Sequence, residues 1–189
     1  MADNDTAFIR RDAIVMPDKI ALDFEALVVD DEPDIRELLS EYLQARGLTT
    51  ATAKDGRAAI AALERSAGRY GLVLTDINMP GADGFEVLRA ARAVNASAYV
   101  VIITGYASLD SAIQAVRLGA HDYITKPFSL GQIDVILGKI SDRVALEREN
   151  RELTSRAPAS GLSSLDGRLD AIERRLGRIE ALLTPDRRS

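Results

Sequence analysis

The chain has 189 residues, of which 47% are hydrophobic and 28% charged, a composition typical of a globular protein with a sizeable core. Its formal net charge of -5 argues against a nucleic-acid partner, and its lack of cysteine excludes disulfides, thiol catalysis and thiolate metal sites. Because no apolar run could span a bilayer and the first residues are acidic, we expect no membrane insertion, no secretory signal and a cytoplasmic location.

The first 24 residues show no clean hydrophobic period and predict a partly ordered extension. From residue 25 to about residue 145, apolar strands alternate with amphipathic helices. Strands are predicted at residues 26–29, 48–53, 71–75, 99–103 and 122–125, each followed by a helix. This alternation predicts an α/β domain, a doubly wound parallel sheet with helices on both faces. In such sheets ligands bind beyond the carboxyl ends of the strands.

Polar side chains follow four of the five predicted strands. They are Asp30 and Asp31, then Asp76, Thr104 and Lys126. Two adjacent carboxylates repel each other, and a hard divalent cation such as Mg²⁺ removes that repulsion. Each residue alone could equally be a solvated turn acid or a surface charge, but their joint placement at one sheet edge favours a functional site.

The motifs at these strand ends are specific. They are Val29–Glu32, Asp76–Gly81, Ile103–Gly105 and Tyr123–Phe128. In this order they resemble the receiver domain (CheY-like) of bacterial two-component response regulators, and the likeness runs from about residue 27 to residue 141. The resemblance implies a flavodoxin-like fold of five strands and five helices, a signalling domain rather than an enzyme, and Mg²⁺ as the cofactor.

The resemblance also implies a role for each acidic residue of the site. Asp76 would be the phosphoacceptor, a carboxylate nucleophile that receives a phosphoryl group. Asp31 and Asp76 would ligate Mg²⁺ directly and Asp30 mainly through water. The backbone carbonyl of Asn78 would complete the ligands that the protein supplies.

Five side chains receive further roles from the same resemblance. Lys126 would pair with Asp76 at rest and with a phosphoryl oxygen afterwards, and its peptide bond to Pro127 would be cis. Thr104 would move to bind the phosphoryl group, and Tyr123 would turn inward. The side chains of Asn78 and Tyr106 would modulate the hydrolysis rate.

Beyond the receiver, residues 146–161 are predicted to be a helix end and a linker, and residues 162–184 an amphipathic, coiled-coil-like helix. The seam comprises Leu162, Leu165, Leu169, Ile172, Leu176, Ile179 and Leu183, which are 3, 4, 3, 4, 3 and 4 residues apart. This helix could form a homodimer together with the last receiver helices, dock on another protein, or fold back on its own receiver.

The sequence therefore predicts a receiver protein that a sensor histidine kinase or a histidine phosphotransfer domain phosphorylates on Asp76. We expect no DNA-binding output and signalling through protein contacts. A phosphorelay intermediate and a structural coiled-coil adaptor are the alternatives. The segment Ser108–Arg117 resembles part of those receivers that precede ATPase domains in transcriptional activators. Such an output domain is not evident in the remaining sequence.

Overall fold

The structure is a computed structural model that describes residue 20 and residues 22–156, except for the side chains of residues 155 and 156. In this part of the chain five strands alternate with five helices. The strands are β1 (Glu25–Val29), β2 (Thr50–Ala53), β3 (Tyr70–Thr75), β4 (Tyr99–Thr104) and β5 (Asp122–Thr125). The helices are α1 (Pro33–Ala45), α2 (Gly56–Arg65), α3 (Gly84–Val94), α4 (Leu109–Arg117) and α5 (Leu130–Arg156).

All strand pairs are parallel, and the order in the sheet is β2-β1-β3-β4-β5. This confirms the predicted doubly wound, flavodoxin-like sheet. The direction of winding reverses between β1 and β3, whose registers pair Val29 with Thr75. In sheets of this kind the reversal opens a crevice at the carboxyl ends of the two strands. Asp30 and Asp76 are the next residues of those strands.

The sheet is buried on both faces because successive side chains of a strand point to opposite sides. Ala26 and Val28 pack in a cluster with residues of α1 and α5, whereas Leu27 and Val29 pack with residues of α2 and α3. A third, smaller cluster joins Ile102 of β4 to Ala115 of α4. These clusters hold the strand ends in fixed positions relative to one another.

Two helices begin immediately beyond the crevice, and their first turns fix the loops before them. Pro33 opens α1, where its missing N–H costs no helical hydrogen bond. A capping box opens α3: the Asp83 carboxylate accepts the Glu86 N–H at 2.8 Å, and the Glu86 carboxylate accepts the Asp83 N–H at 2.9 Å. The loops that carry the site are therefore anchored at both ends.

The apolar face of α4 is exposed rather than packed into the core. Tyr106, just before the helix, and Leu109, Ile113 and Val116 within it are 81%, 76%, 42% and 75% exposed. We call these four residues the α4 stripe. The contact of α4 with the sheet is made by the small, fully buried Ala115. The helical spacing of the stripe is evident in the sequence, but its exposure is not.

The chain divides into two compact units, of which the first ends at Val144 and the second begins at Ala145. The long last helix, α5, contains residues of both units. Within the first unit, Ile133, Leu137 and Ile140 of α5 are buried against the sheet. None of the helices in the described residues is long and apolar enough to cross a membrane. Most of the predicted extension at residues 1–24 and the whole predicted helix at residues 162–184 lie outside the described residues.

Candidate functional site

Asp76 is buried at the carboxyl end of β3, beside the end of β1. Its backbone N–H donates to the Val29 carbonyl at 3.0 Å, which extends the pairing of the two strands by one residue. Its carboxylate Oδ1 accepts the backbone N–H groups of Ile77 at 2.5 Å and Asn78 at 3.2 Å. Its Oδ2 accepts a hydrogen bond from Lys126 Nζ at 2.9 Å. The carboxylate is thus fixed in one orientation, as a nucleophile requires.

Lys126 follows β5 and reaches across the crevice. The peptide bond between Lys126 and Pro127 is cis, as predicted. Besides Asp76, the ammonium group of Lys126 donates to Asp30 Oδ2 at 2.9 Å and to Glu32 Oε1 at 2.8 Å. Three donors and three carboxylates match the full capacity of an ammonium group. The predicted resting pair of Lys126 and Asp76 is therefore present, but Lys126 is shared.

The electrostatics of this cluster follow from its burial. Burial raises the pKa of the Asp30 carboxyl, an effect that the hydrogen bond and charge of Lys126 oppose. Burial would lower the pKa of the Lys126 ammonium, but its hydrogen bonds to Glu32, Asp30 and Asp76 outweigh that effect and raise the pKa. Lys126 is consequently charged at neutral pH and compensates part of the negative charge around Asp76.

The carboxylates of Asp30, Glu32 and Asp76 each offer an oxygen atom, and these atoms lie within 4.8 Å of one another. Carboxylate oxygens are the protein ligands that Mg²⁺ prefers, and the cluster carries more negative charge than one ammonium neutralises. The donor set thus fits a hard divalent cation. Asp31 does not belong to this group of three, and its side chain is exposed. Its direct ligation of the metal stays a prediction.

Glu32 also belongs to this site, although the sequence alone predicts no role for it. Its side chain is 59% exposed, whereas those of Asp30 and Asp76 are 2% and 8% exposed, so it forms the solvent-facing side of the cluster. The available signal was its place directly after the two aspartates and before the proline that opens α1. A third acid at a strand end is a candidate for the same cation or counter-ion.

The remaining predicted residues lie at the ends of β4 and β5. Thr104 is fully buried, and its hydroxyl accepts the backbone N–H of Tyr106 at 3.3 Å. Tyr123 is half-buried, and its hydroxyl lies 2.9 Å from the Ser111 hydroxyl in the first turn of α4. Asn78 is exposed, and its N–H contact with Asp76 places its backbone next to that carboxylate. The Thr104 and Tyr123 side chains thus have specific partners and the Asn78 backbone lies beside Asp76, whereas the switching and rate-modulating roles stay predictions.

A glycine fixes the loop between Asp76 and α3. A Cβ atom at Gly84 would collide with the Asp76 carbonyl oxygen, and the Gly84 N–H donates to the Ile77 carbonyl at 3.0 Å. The same Asp76 carbonyl accepts the Thr75 hydroxyl at 3.0 Å. The backbone of Asp76 is therefore tightly packed against the start of α3, which is possible because Gly84 has no side chain.

The family model of the response regulator receiver domain matches residues 26–137. The chain is 35% identical over 158 residues to the nitrogen assimilation regulatory protein NtrX of Azorhizobium caulinodans, a match that covers 81% of this chain and 34% of that protein. It is 36% identical over 154 residues to the transcriptional regulatory protein TcrA of Mycobacterium tuberculosis, with 82% and 56% covered. The chain therefore spans about one third to one half of these relatives.

Solved structures lead to the same family. A CheY-like response regulator receiver domain protein from Methanospirillum hungatei superposes with a TM-score of 0.61 at 27% identity, covering 66% of this chain and 98% of that one. The matched region contains the crevice, the acidic cluster, Thr104 and Lys126. The chain belongs to the family of response regulator receiver domain proteins.

Proposed function

We propose that this protein receives a phosphoryl group on Asp76 from a phosphohistidine of a sensor histidine kinase or histidine phosphotransfer domain. A carboxylate oxygen of Asp76 attacks phosphorus, a P–O bond forms, and the P–N bond of the donor breaks. The electron pair of that bond goes to the imidazole nitrogen. The observation that carries the proposal is the buried Asp76 carboxylate held at 2.9 Å from Lys126 at the crevice.

Phosphoryl transfer depends mainly on positioning and on neutralising charge. The backbone N–H groups of Ile77 and Asn78 hold one oxygen of Asp76 and leave its carboxylate plane fixed. The Lys126 ammonium can shift a hydrogen bond from the Asp76 carboxylate to a phosphoryl oxygen, because it already contacts several acceptors. The Thr104 hydroxyl lies at the neighbouring strand end, and it would leave the Tyr106 N–H to bind the phosphoryl group.

Mg²⁺ would be held by Asp30, Asp31 and Asp76 with the Asn78 carbonyl, and by Glu32, which the acidic cluster adds to this set. When bound, the cation neutralises the carboxylates and the phosphoryl oxygens that approach them. The repulsion between a phosphodonor and this acidic cluster is the reason for proposing a cation, since Lys126 supplies a single positive charge. The domain catalyses its own modification and is not otherwise proposed to be an enzyme.

We further propose that the phosphorylated domain signals through protein contacts, because the α4 stripe leaves a large apolar surface next to Thr104 and Tyr123. Phosphorylation would shift an equilibrium between inactive and active conformations of this region. The expectation that no DNA-binding output and no nucleic-acid partner exist is not supported by the relatives, one of which is named a transcriptional regulator. The cytoplasmic location stays a prediction.

The test is phosphorylation of the intact chain with phosphoramidate, whose P–N bond resembles that of phosphohistidine, followed by mass spectrometry. We expect one added phosphoryl group in the presence of Mg²⁺ and none after chelation with EDTA. Asp76→Asn should abolish the addition. Asp83→Asn is the matched control, because Asp83 lies in the same loop and an asparagine there can still cap α3. Incorporation in the Asp76→Asn variant would show that the acceptor is another residue.

A further inference from the structure

Arg36 lies at the end of the first turn of α1, and its side chain returns to the loop that carries the two aspartates. Its Nη1 atom donates to the Asp30 carbonyl at 2.7 Å and to the Asp31 carbonyl at 3.1 Å. Long helical side chains point toward the helix N-terminus, which gives this residue its reach. One guanidinium nitrogen thus joins two successive peptide groups at the crevice.

The other contacts of the loop show what this bridge adds. The Asp30 N–H donates to the Ala53 carbonyl of β2 at 3.3 Å, and Asp30 Oδ1 accepts the Glu32 N–H at 3.0 Å. The first bond fixes the Asp30 backbone against β2, and the second fixes the Asp30 carboxylate against the following turn. Asp31 lies between them with an exposed side chain. The Asp31 carbonyl and the Glu32 N–H belong to one peptide group, so the hydrogen bond from Arg36 and that from Glu32 to Asp30 Oδ1 together fix the peptide plane after Asp31. Arg36 thereby restricts the direction in which the Asp31 carboxylate can reach.

We infer that Arg36 is a positioning residue for the acidic cluster: it holds the peptide groups of Asp30 and Asp31 so that their carboxylates meet a divalent cation. This inference rests on the proposed function. Groups that orient metal ligands without touching the metal typically change metal affinity about 10–100-fold when they are removed. The contacts of Arg36 are with carbonyl oxygens and not with carboxylates, so it orients ligands without neutralising one directly.

Charge and positioning predict opposite results for a neutral variant. If Arg36 acted only as a positive charge near the site, its removal would strengthen Mg²⁺ binding, because the cation would lose a repulsive neighbour. If Arg36 positions the aspartates, its removal weakens Mg²⁺ binding because the ligands lose their preferred orientation. The sign of the change in Mg²⁺ affinity therefore separates the two roles.

The experiment is calorimetric titration of the intact chain with Mg²⁺ alone. For Arg36→Met, which keeps an apolar stem and removes the donors, we expect the Kd to rise about tenfold or more. Arg36→Lys, which keeps a charged donor on a stem one bond shorter, should give an intermediate Kd. Arg89→Met removes an equal charge from an exposed residue of α3 and should leave the Kd unchanged. Thermal unfolding of each variant establishes that it is folded.

Each outcome has a distinct meaning. A wild-type chain that does not bind Mg²⁺ contradicts the proposed function itself. A wild-type chain that binds Mg²⁺, together with a folded Arg36→Met variant that binds it equally or more tightly, overturns the positioning role. If Arg36→Met does not fold, Arg36→Lys decides the question, and a Kd equal to that of the wild type overturns the inference.

Discussion

At the scale of single residues, Glu32 differs from the other members of the acidic cluster because it is exposed and yet bonded to Lys126. Replacing it by glutamine removes one negative charge near the cation site and leaves Asp30 and Asp76 in place. A carboxylate at this distance in a solvated setting contributes about 1 kcal/mol to the attraction of a divalent cation, or roughly fivefold in Kd. We expect Glu32→Gln to weaken Mg²⁺ binding by about that factor.

The measurement is the same Mg²⁺ titration, with Glu37→Gln as the control. Glu37 is an exposed acid on α1 that does not belong to the cluster of three carboxylates. Asp76 should still accept a phosphoryl group in the Glu32→Gln variant at saturating Mg²⁺. An unchanged Kd would mean that Glu32 is a counter-ion of Lys126 alone and does not contribute to the cation site.

Single residues also show how far sequence reasoning extends. Asp30, Asp76, Thr104 and Lys126 could be predicted to lie at one edge, because each ends or directly follows a strand and the carboxyl ends of parallel strands meet. The part played by Glu32 and Arg36 could not be predicted in the same way. Their contacts depend on the turn between β1 and α1, where the backbone no longer alternates regularly and a side chain's direction follows from local hydrogen bonds.

At the scale of elements, the predicted amphipathic helices differ in whether the chain covers their apolar faces. The apolar faces of α1 and α5 are covered because these helices lie over one side of the sheet, as their buried residues show. The face of α4 that carries Leu109 and Val116 is exposed, although its helical spacing is equally regular. Periodicity identifies an apolar face, but whether the same chain covers that face depends on tertiary packing.

The start of β5 provides a prediction about stability. His121, the one histidine of the sequence, lies edge-on against Tyr99 of β4 with 5.0 Å between ring centroids. Burial lowers its pKa, an effect opposed by Asp122 and reinforced by Arg143 and Lys139. Because the folded state binds the proton less readily than the unfolded state, this contribution to stability is present above the unfolded pKa of about 6.5 and is lost as the pH falls below it.

Thermal unfolding between pH 7.5 and pH 5.5 measures this effect. The midpoint temperature of the wild type should decrease more steeply toward low pH than that of His121→Gln, which cannot titrate. The difference between the two curves isolates His121, because Asp30 and the other acids are common to both proteins. Parallel curves would show that protonation of His121 is not coupled to folding.

At the scale of the whole molecule, two apolar surfaces are candidates for self-association. One is the α4 stripe, which the structure describes, and the other is the predicted seam from Leu162 to Leu183, which lies outside the described residues. The stripe lies next to Thr104 and Tyr123, the proposed switch residues, since the Tyr106 N–H donates to Thr104 and Ser111 bonds Tyr123. A contact through the stripe should therefore respond to phosphorylation, whereas a coiled-coil seam can associate without it.

Light scattering of the intact chain, with and without Mg²⁺ and beryllofluoride, separates these two routes. Beryllofluoride mimics the phosphoryl group that Asp76 is proposed to carry. We expect a monomer that becomes a dimer with the mimic, and we expect Val116→Asp to prevent this change because a charge within the stripe would be desolvated in the dimer. Val94→Asp introduces the same charge at an exposed valine of α3 and should leave the dimer intact.

A chain that ends at Ser155 tests the seam. If the intact chain is dimeric without the mimic and the shortened chain is monomeric, the seam is a constitutive coiled coil and phosphorylation acts on something other than assembly. If the shortened chain still dimerises with the mimic, the receiver surface is sufficient and the seam serves a different contact. A monomer under all conditions would exclude self-association at the concentrations tested, and the apolar α4 stripe would then have to serve a different protein partner.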